Sequence, residues 1–136
     1  MIETDNDRIR RTWAQAVSIS EEMSRVFYGN LFRLDPTTKP LFVGDLRLQG
    51  RKLVQTLGFI VDNLEDPDTL LPAAEALAIR HVDYGVVAEQ YGSVGAALIK
   101  TLKQLLGDDF SREDEKAWAS VYSGLSDAMI KAAYPA

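Results

Sequence analysis

Apolar residues recur every three or four positions along almost the whole chain, and strict alternation of apolar and polar residues is hard to find. This spacing places apolar side chains along one face of a helix, whereas a half-buried strand requires a period of two. With 136 residues, of which 46% are hydrophobic, the chain is long enough to bury one core. The sequence therefore predicts an all-α protein, organised as a single domain over residues 1–136.

Proline, glycine and capping residues divide the pattern into six main helices and one short element. Thr4 or Asp5 is suited to cap the first helix and Ser20 the second, while Gly85 is suited to a left-handed residue after the fourth. The stretch 36–42, which contains two prolines, has room for about one helical turn. The predicted main helices cover residues 5–18, 20–34, 46–64, from about 67–70 to 82–85, 87–106 and 111–133.

Composition excludes several classes of function. The net charge is −5 and no Lys/Arg cluster stands out, so a nucleic acid is not an expected partner. The absence of cysteine excludes disulfides, thiolate metal sites and cysteine nucleophiles, and is typical of a cytoplasmic chain. Apolar runs are too short to span a bilayer, and residues 3–7 are acidic or polar where a secretory signal would be basic and then apolar. We therefore expect a cytoplasmic protein with no membrane partner.

The chain contains one histidine, His81, and helical spacing places it on the same face as Ala74, Leu77 and Ala78. Imidazole binds iron well in its neutral form, and a ring on an apolar face loses water without an obvious partner. His81 is therefore a candidate metal ligand. The alternative is a core histidine that is hydrogen-bonded to a backbone carbonyl.

Two further polar side chains lie on predicted apolar faces. Gln49 falls between Leu46 and Leu53, and Tyr28 follows a phenylalanine in a helix that is otherwise packed with apolar residues. A buried amide or phenol needs hydrogen-bond partners, so each is either a locally satisfied core residue or part of a binding site. Taken together they suggest the polar end of an apolar pocket, with Phe42 as one wall. The glycines between positions 92 and 95 follow no strand, so they indicate close helix packing rather than a phosphate loop.

Six segments, in this order and spacing, are similar to one known family. They are FYGNLF at 27–32, PLF at 40–42, QGRKL at 49–53, RHVDYGV at 80–86, YGSVG at 91–95 and WASVY at 118–122. With these segments the chain resembles the globins, and most closely the single-domain bacterial haemoglobins that are similar to the globin part of flavohaemoglobins. The resemblance implies a globin fold of about six main helices plus a short one-turn helix around a pocket for haem b.

The resemblance also implies roles for individual residues. His81 corresponds to the proximal ligand of the haem iron, and the absence of a second histidine leaves the opposite side of the iron open. Tyr28 and Gln49 correspond to distal donors of hydrogen bonds to dioxygen, and Leu53 to a residue that crowds the ligand. Tyr91 corresponds to a proximal hydrogen-bonding residue. The positions expected to pack on the haem are Phe42, Lys52, Leu57, Tyr84, Val86 and Tyr122, with Lys52 or Arg51 pairing with a propionate.

One departure from the family pattern concerns the proximal side. In flavohaemoglobin-like domains a tyrosine and a glutamate polarise the proximal imidazole. Tyr91 matches the tyrosine, but Ala133 occupies the position expected for the glutamate. A carboxylate at this point strengthens the imidazole as a donor and lowers the iron potential, so its loss predicts a weaker proximal effect. Asp83 or Glu75 remains as a candidate replacement.

The function implied is reversible binding of dioxygen, with nitric oxide and carbon monoxide as further ligands. The same pocket serves storage, delivery, nitric oxide removal or sensing, so the sequence leaves these roles open. Nitric oxide dioxygenase activity would need electrons from a separate reductase. Two alternatives remain: a globin-fold gas sensor, and an interaction module that binds no haem. A homodimer through exposed helix faces is a further expectation.

Overall fold

A computed structural model describes residues 3–42 and 44–134, and it is all-helical within those ranges. Short 3₁₀ helices cover Pro36–Leu41 and Gly107–Asp109. The predicted all-α class, the six main helices and the short element after the second helix are confirmed, while the second 3₁₀ helix was not predicted. The main helices are α1 (Asp5–Val17), α2 (Ser20–Leu34), α3 (Leu46–Asp62), α4 (Pro67–Asp83), α5 (Ala88–Leu106) and α6 (Arg112–Ala133).

Side-chain caps fix most helix starts, but not that of α2. Thr4 and Ser111 each cap a helix and form a complete capping box with the aspartate three residues later. The prediction that Ser20 caps α2 is wrong, because Ile19 occupies the N-cap position and Ser20 is already helical. The Ile19 amide donates to the Ala16 carbonyl at 3.1 Å, so the chain turns directly from α1 into α2. The helix therefore begins one residue earlier than the capping pattern indicates.

Two apolar clusters form the interior. The larger joins residues from α1, α2, α3, α5 and α6, and the indole Nε1 of Trp118 donates to Thr12 Oγ1 at 2.8 Å within it. The smaller joins α4, α5 and α6 through Ala74, Ala78, Tyr91 and Met129. Leu34 and Leu46 are exposed to 48% and 42%, although both belong to apolar helical faces, because each is the terminal residue of its helix.

Helices α3 and α4 belong to different parts of this packing. Helix α3 packs on α2 and α1, whereas α4 packs on α6, and α3 and α4 are not closely packed on each other. Over residues 3–42 and 44–134, no helix combines the length and hydrophobicity that crossing a bilayer requires.

Candidate functional site

His81 lies in the last turn of α4, where the backbone is closely constrained. The helix ends in a Schellman motif: the Gly85 amide donates to the Val82 carbonyl at 3.0 Å and the Val86 amide to the His81 carbonyl at 2.9 Å. Gly85 has a φ of 91°, as predicted, which a side chain would disfavour. The position of His81 is thus set by the backbone of the turn that follows it.

The His81 imidazole is half-buried and largely unpartnered. Its ring meets that of Tyr91 edge to face, with 5.9 Å between centroids, and its Nδ1 is buried without a hydrogen-bond partner among the described residues. Burial, and to a lesser extent the charge of Arg80, lowers the pKa of His81. The imidazole is therefore neutral at pH 7, the form that binds a metal. Among the described residues, no backbone carbonyl accepts a hydrogen bond from Nδ1, so the alternative of a core histidine bonded to such a carbonyl is not observed at this atom.

Tyr91 continues the same polar region within the smaller cluster. It is 6% exposed, and among the described residues its buried hydroxyl meets no partner at full hydrogen-bond geometry, although the neighbouring Tyr134 oxygen can accept a hydrogen bond from it. Burial first, and then the adjacent Tyr134, raises the pKa of Tyr91, so the phenol remains protonated at neutral pH. The Tyr134 hydroxyl donates to the Val86 carbonyl at 2.5 Å and thereby joins the end of α6 to the turn after His81.

Tyr28 lies in the other cluster, within a group of aromatic rings. Its ring centroid is 5.2 Å from that of Phe27, 6.0 Å from that of Phe32 and 5.1 Å from that of Phe42. Burial raises the pKa of Tyr28 to about 12, so its hydroxyl keeps its proton and can donate a hydrogen bond. The predicted grouping of Tyr28 with Phe42 is observed.

A close approach of α2 and α3 brings Gly50 beside the ring of Tyr28. A Cβ added to Gly50 would lie 2.7 Å from Ser24 Oγ and 3.9 Å from a Tyr28 ring carbon. Glycine is therefore required for the two helices to come this close. Gln49, the neighbour of Gly50, is half-buried rather than enclosed in the core.

Several apolar side chains are covered on one side only. Helix α3 spans 17 residues, but within it only Gly50 and Val61 are fully buried. Several other apolar positions of α3 and α4 are partly exposed. These half-buried residues, together with neighbours from other elements, are Phe42, Leu53, Leu57, Leu77, Val86 and Tyr122.

Tyr122 is held by an unusually close helix contact. A Cβ on Gly95 would lie 2.5 Å from a Tyr122 ring carbon, which confirms that the 92–95 glycine segment permits close packing. The Tyr122 hydroxyl donates to the Tyr91 carbonyl at 2.6 Å. Helices α5 and α6 therefore meet at the junction between the two clusters.

Other predicted site residues lie apart from these groups. Lys52 and Arg51 are exposed on α3, and Tyr84 is 65% exposed at the end of α4. Glu75 and Asp83 are also exposed, and neither provides a partner for His81 Nδ1. The sequence analysis missed Tyr134, although an aromatic residue four positions after Ile130 is a signal that the end of α6 is packed.

The residues present fit a haem group. The described residues contain no cluster of three or more His, Cys, Asp or Glu side chains that would hold a bare metal ion. A single neutral imidazole is instead suited to an iron whose porphyrin supplies four ligands. The half-buried apolar side chains of α3 and α4 are of the kind that would pack on an apolar macrocycle, and the unpartnered Nδ1 of His81 belongs to the residue that would hold its iron.

Comparisons with known proteins agree with this geometry. A family model described as Globin matches residues 25–129. The flavohemoprotein of Bordetella parapertussis is 32% identical over 113 residues, which is 81% of this chain but 28% of that protein. The Globin-2 A chain of Anadara inaequivalvis is 28% identical over 132 residues, covering 89% of this chain and 88% of its own.

A solved structure of a bacterial globin from Campylobacter jejuni superposes with a TM-score of 0.80 at 26% identity, covering 94% of this chain and 93% of that one. The chain spans only about a quarter of the length of the flavohemoproteins that it matches, 28% for the first of them. The family match over residues 25–129 and the similarity to a solved globin structure lead to one conclusion: the chain belongs to the globin family.

Proposed function

We propose that this globin binds haem b, holds the iron through His81 Nε2 and binds dioxygen reversibly on the opposite side. The observation on which the proposal rests is that the neutral imidazole of His81 is half-buried, with its Nδ1 unpartnered among the described residues. Apolar side chains of α3 and α4, such as Leu53, Leu57 and Leu77, are only partly covered by the rest of the chain. When bound, haem supplies a ferrous iron to which dioxygen, nitric oxide or carbon monoxide can add.

The distal residues discriminate among gases through hydrogen bonding and space. The Tyr28 hydroxyl, whose pKa of about 12 keeps it protonated, donates to dioxygen, which gains partial negative charge on binding. The Gln49 amide supplies a second donor from α3, and Leu53 limits the space beside it. A hydrogen bond to a charged acceptor contributes about 1.5–3 kcal/mol, so these donors slow the escape of dioxygen.

The remaining residues hold and orient the cofactor. Phe42, Leu57, Val86 and Tyr122 pack against its apolar faces, and Tyr84 covers its edge at the end of α4. The exposed cations Arg51 and Lys52 precede Leu57 by six and five positions on α3, and one of them would pair with a propionate. Tyr91 orients the proximal imidazole.

The similarity to flavohemoproteins, whose name refers to a flavin and a haem, supports a second proposed activity. We propose that the oxygenated protein converts nitric oxide to nitrate, NO + O₂ + e⁻ → NO₃⁻, with a separate reductase as the electron source. A gas sensor would use the same pocket. We also propose that the protein is cytoplasmic and that it forms a homodimer.

Absorption spectra of the purified protein with haem, in reduced, oxygenated and carbon monoxide forms, test the main proposal. We expect a five-coordinate ferrous spectrum that converts reversibly to the oxygenated form. Failure to bind haem would contradict the proposal and favour a globin-fold interaction module. Consumption of nitric oxide in the presence of oxygen and an added reductant then tests the second activity.

A further inference from the structure

The side chain of Gln90 bonds two segments that belong to different parts of the site. Gln90 is the third residue of α5 and is 6% exposed. Its Oε1 accepts a hydrogen bond from the Val87 amide at 2.9 Å, and its Nε2 donates to Thr37 Oγ1 at 3.2 Å and to the Thr37 carbonyl at 3.4 Å. Val87 lies in the turn after His81, whereas Thr37 lies in the 3₁₀ helix before Phe42. We call this pair of side-chain contacts the Gln90 bridge.

The hydrogen bonds continue from Thr37 to a carboxylate. The Thr37 hydroxyl donates its one proton to Asp35 Oδ1, so towards Gln90 its oxygen acts as an acceptor. The second oxygen of Asp35 accepts from the Ser93 hydroxyl of α5 at 2.7 Å. The side-chain bonds from Thr37 and then from Ser93 lower the pKa of Asp35, so this acceptor is charged at pH 7. The 3₁₀ helix is therefore bonded to α5 at two points, one of them charge-assisted.

The 3₁₀ helix in turn holds Phe42 against the aromatic group of α2. The Phe42 amide donates to the Lys39 carbonyl at 3.2 Å. The Phe42 ring centroid is 5.1 Å from that of Tyr28 and 5.6 Å from that of Phe32. A shift of the 3₁₀ helix relative to α5 would therefore move Phe42 relative to the rings that surround the Tyr28 hydroxyl.

The segment at the other end of the bridge follows His81 closely. The Val86 amide donates to the His81 carbonyl at 2.9 Å, and the backbone amide of Gln90 donates to the Val87 carbonyl at 3.0 Å. Gln90 therefore bonds Val87 through both its backbone and its side chain. A displacement of Gln90 would displace the turn that sets the position of His81.

We propose that Gln90 is a positioning residue, which fixes the 3₁₀ helix that precedes Phe42 relative to the turn that follows His81. That these two segments border a haem pocket rests on the function proposed above. Gln90 itself need not touch a ligand, because it acts through the two backbone segments that it joins. The alternative is that its side chain only caps the start of α5.

Hydrogen exchange of the full chain, as purified, tests the bridge without an optical signal from haem. Thr37→Val removes the hydroxyl that accepts from Gln90 Nε2 but leaves the Val87 amide its acceptor, and Thr37→Ser keeps the hydroxyl as the matched control. We expect the Val87 amide to exchange about threefold faster in Thr37→Val and at the wild-type rate in Thr37→Ser. Unchanged exchange at Val87 in Thr37→Val would overturn the proposal.

A second pair of variants tests the bridge from its centre. Gln90→Met removes both side-chain bonds at similar volume, and Gln15→Met makes the same replacement at an exposed position of α1. We expect the Phe42 amide to exchange faster in Gln90→Met and not in Gln15→Met. Faster exchange at Val87 with no change at Phe42 would show that Gln90 only caps α5, and would overturn the proposal.

Dissociation of dioxygen from the haem-loaded protein tests the consequence for the pocket. Thr37 is exposed on the 3₁₀ helix, so a change there reaches Phe42 through the backbone of that helix. We expect dissociation to be about twofold to threefold faster in Thr37→Val, and unchanged in Thr37→Ser. An unchanged rate in Thr37→Val would overturn the positioning role. A protein that binds no haem would contradict the function proposed above, whereas hydrogen exchange would still decide whether the bridge joins the two segments.

Discussion

Two regions of the molecule bury polar groups in opposite ways. Asp114, at the start of α6, is 1% exposed, and its carboxylate accepts hydrogen bonds from Arg11 at 2.6 Å, Arg8 at 3.3 Å and the Ser111 amide at 2.9 Å. At the other region, His81 Nδ1 is buried with no partner among residues 3–42 and 44–134, and the Tyr91 hydroxyl has only the neighbouring Tyr134 oxygen to pair with. One region is satisfied by the chain itself, and the other is not.

Structural and functional polar groups differ in whether the chain itself supplies their hydrogen bonds. A buried carboxylate without partners would destabilise the fold. Asp114, which joins α6 to α1, therefore has its hydrogen bonds supplied by the chain. Unpaired groups are tolerated where a ligand or water later supplies the missing bonds, and natural proteins depart from complete pairing mainly at such sites. Removing a residue from the first region is therefore expected to affect stability, and removing one from the second to affect binding.

The largest effect is expected for His81→Ala. Loss of the one imidazole removes the iron ligand, so we expect the haem Soret band to be lost after gel filtration. The far-ultraviolet circular dichroism should remain helical, because His81 forms no hydrogen bond through Nδ1 that the fold requires. An undiminished Soret band contradicts the proximal assignment.

The next effect concerns the opposite region. Asp114→Ala leaves Arg8 and Arg11 without their shared carboxylate and removes one half of the capping box, so we expect a loss of about 3 kcal/mol in the free energy of unfolding. Urea denaturation measures this loss. The exposed Glu113, in the same helical turn, provides the control, and Glu113→Ala should change stability by less than about 0.5 kcal/mol. Equal losses of stability in Asp114→Ala and Glu113→Ala would contradict the structural role of Asp114. A loss of haem affinity in Asp114→Ala would also contradict it.

A smaller effect is expected on the distal side. Tyr28→Phe removes a hydroxyl but keeps the ring packing with Phe27, Phe32 and Phe42. We expect dioxygen to dissociate about tenfold faster, in line with a lost hydrogen bond of about 1.5 kcal/mol. Carbon monoxide, which gains less negative charge, should dissociate at a nearly unchanged rate. Stopped-flow measurement of both gases checks this, and an unchanged dioxygen rate removes Tyr28 from the distal donors.

The smallest effect is a dependence on pH. Burial raises the pKa of Asp114, but the hydrogen bonds from Ser111 and Arg8 and the charge of Arg11 outweigh it, so the pKa lies below its ordinary value. A lowered folded-state pKa gives stability that is present above about pH 4 and is lost as the pH falls through the folded value. The stability difference between wild type and Asp114→Ala should therefore be constant near neutral pH and should narrow in acid. A difference that grows in acid would contradict the assignment.

Local patterns in the sequence predicted most of the helical framework. Proline, glycine and capping residues act within a few positions, and they defined the starts of α1, α4 and α6 and the left-handed Gly85. Ser20 shows the limit of the same reasoning, because the tight bond from Ile19 to Ala16 overrides a favourable capping residue. Leu34 and Leu46 show that helical periodicity indicates a face but does not show how far the neighbouring helix extends.

Contacts between distant segments were beyond prediction from one sequence. Arg11 and Asp114 are 103 positions apart, and Tyr134 bonds a carbonyl 48 positions before it. The face shared by His81, Ala74 and Ala78 was correctly predicted from spacing alone, and the smaller cluster contains both alanines. Whether His81 Nδ1 and the Tyr91 hydroxyl find hydrogen-bond partners depends on the side chains of the neighbouring helices. The packing of those helices is known only from the structure.

The turn that ends α4 has a consequence for how this protein can diversify. His81 is positioned by backbone hydrogen bonds from Gly85 and Val86, so the exposed side chains of Val82 and Asp83 between them contribute nothing to its placement. Mutations at these two positions can alter what the surface offers to other molecules without moving the imidazole. Selection can therefore change molecular recognition at this edge independently of the chemistry of the pocket.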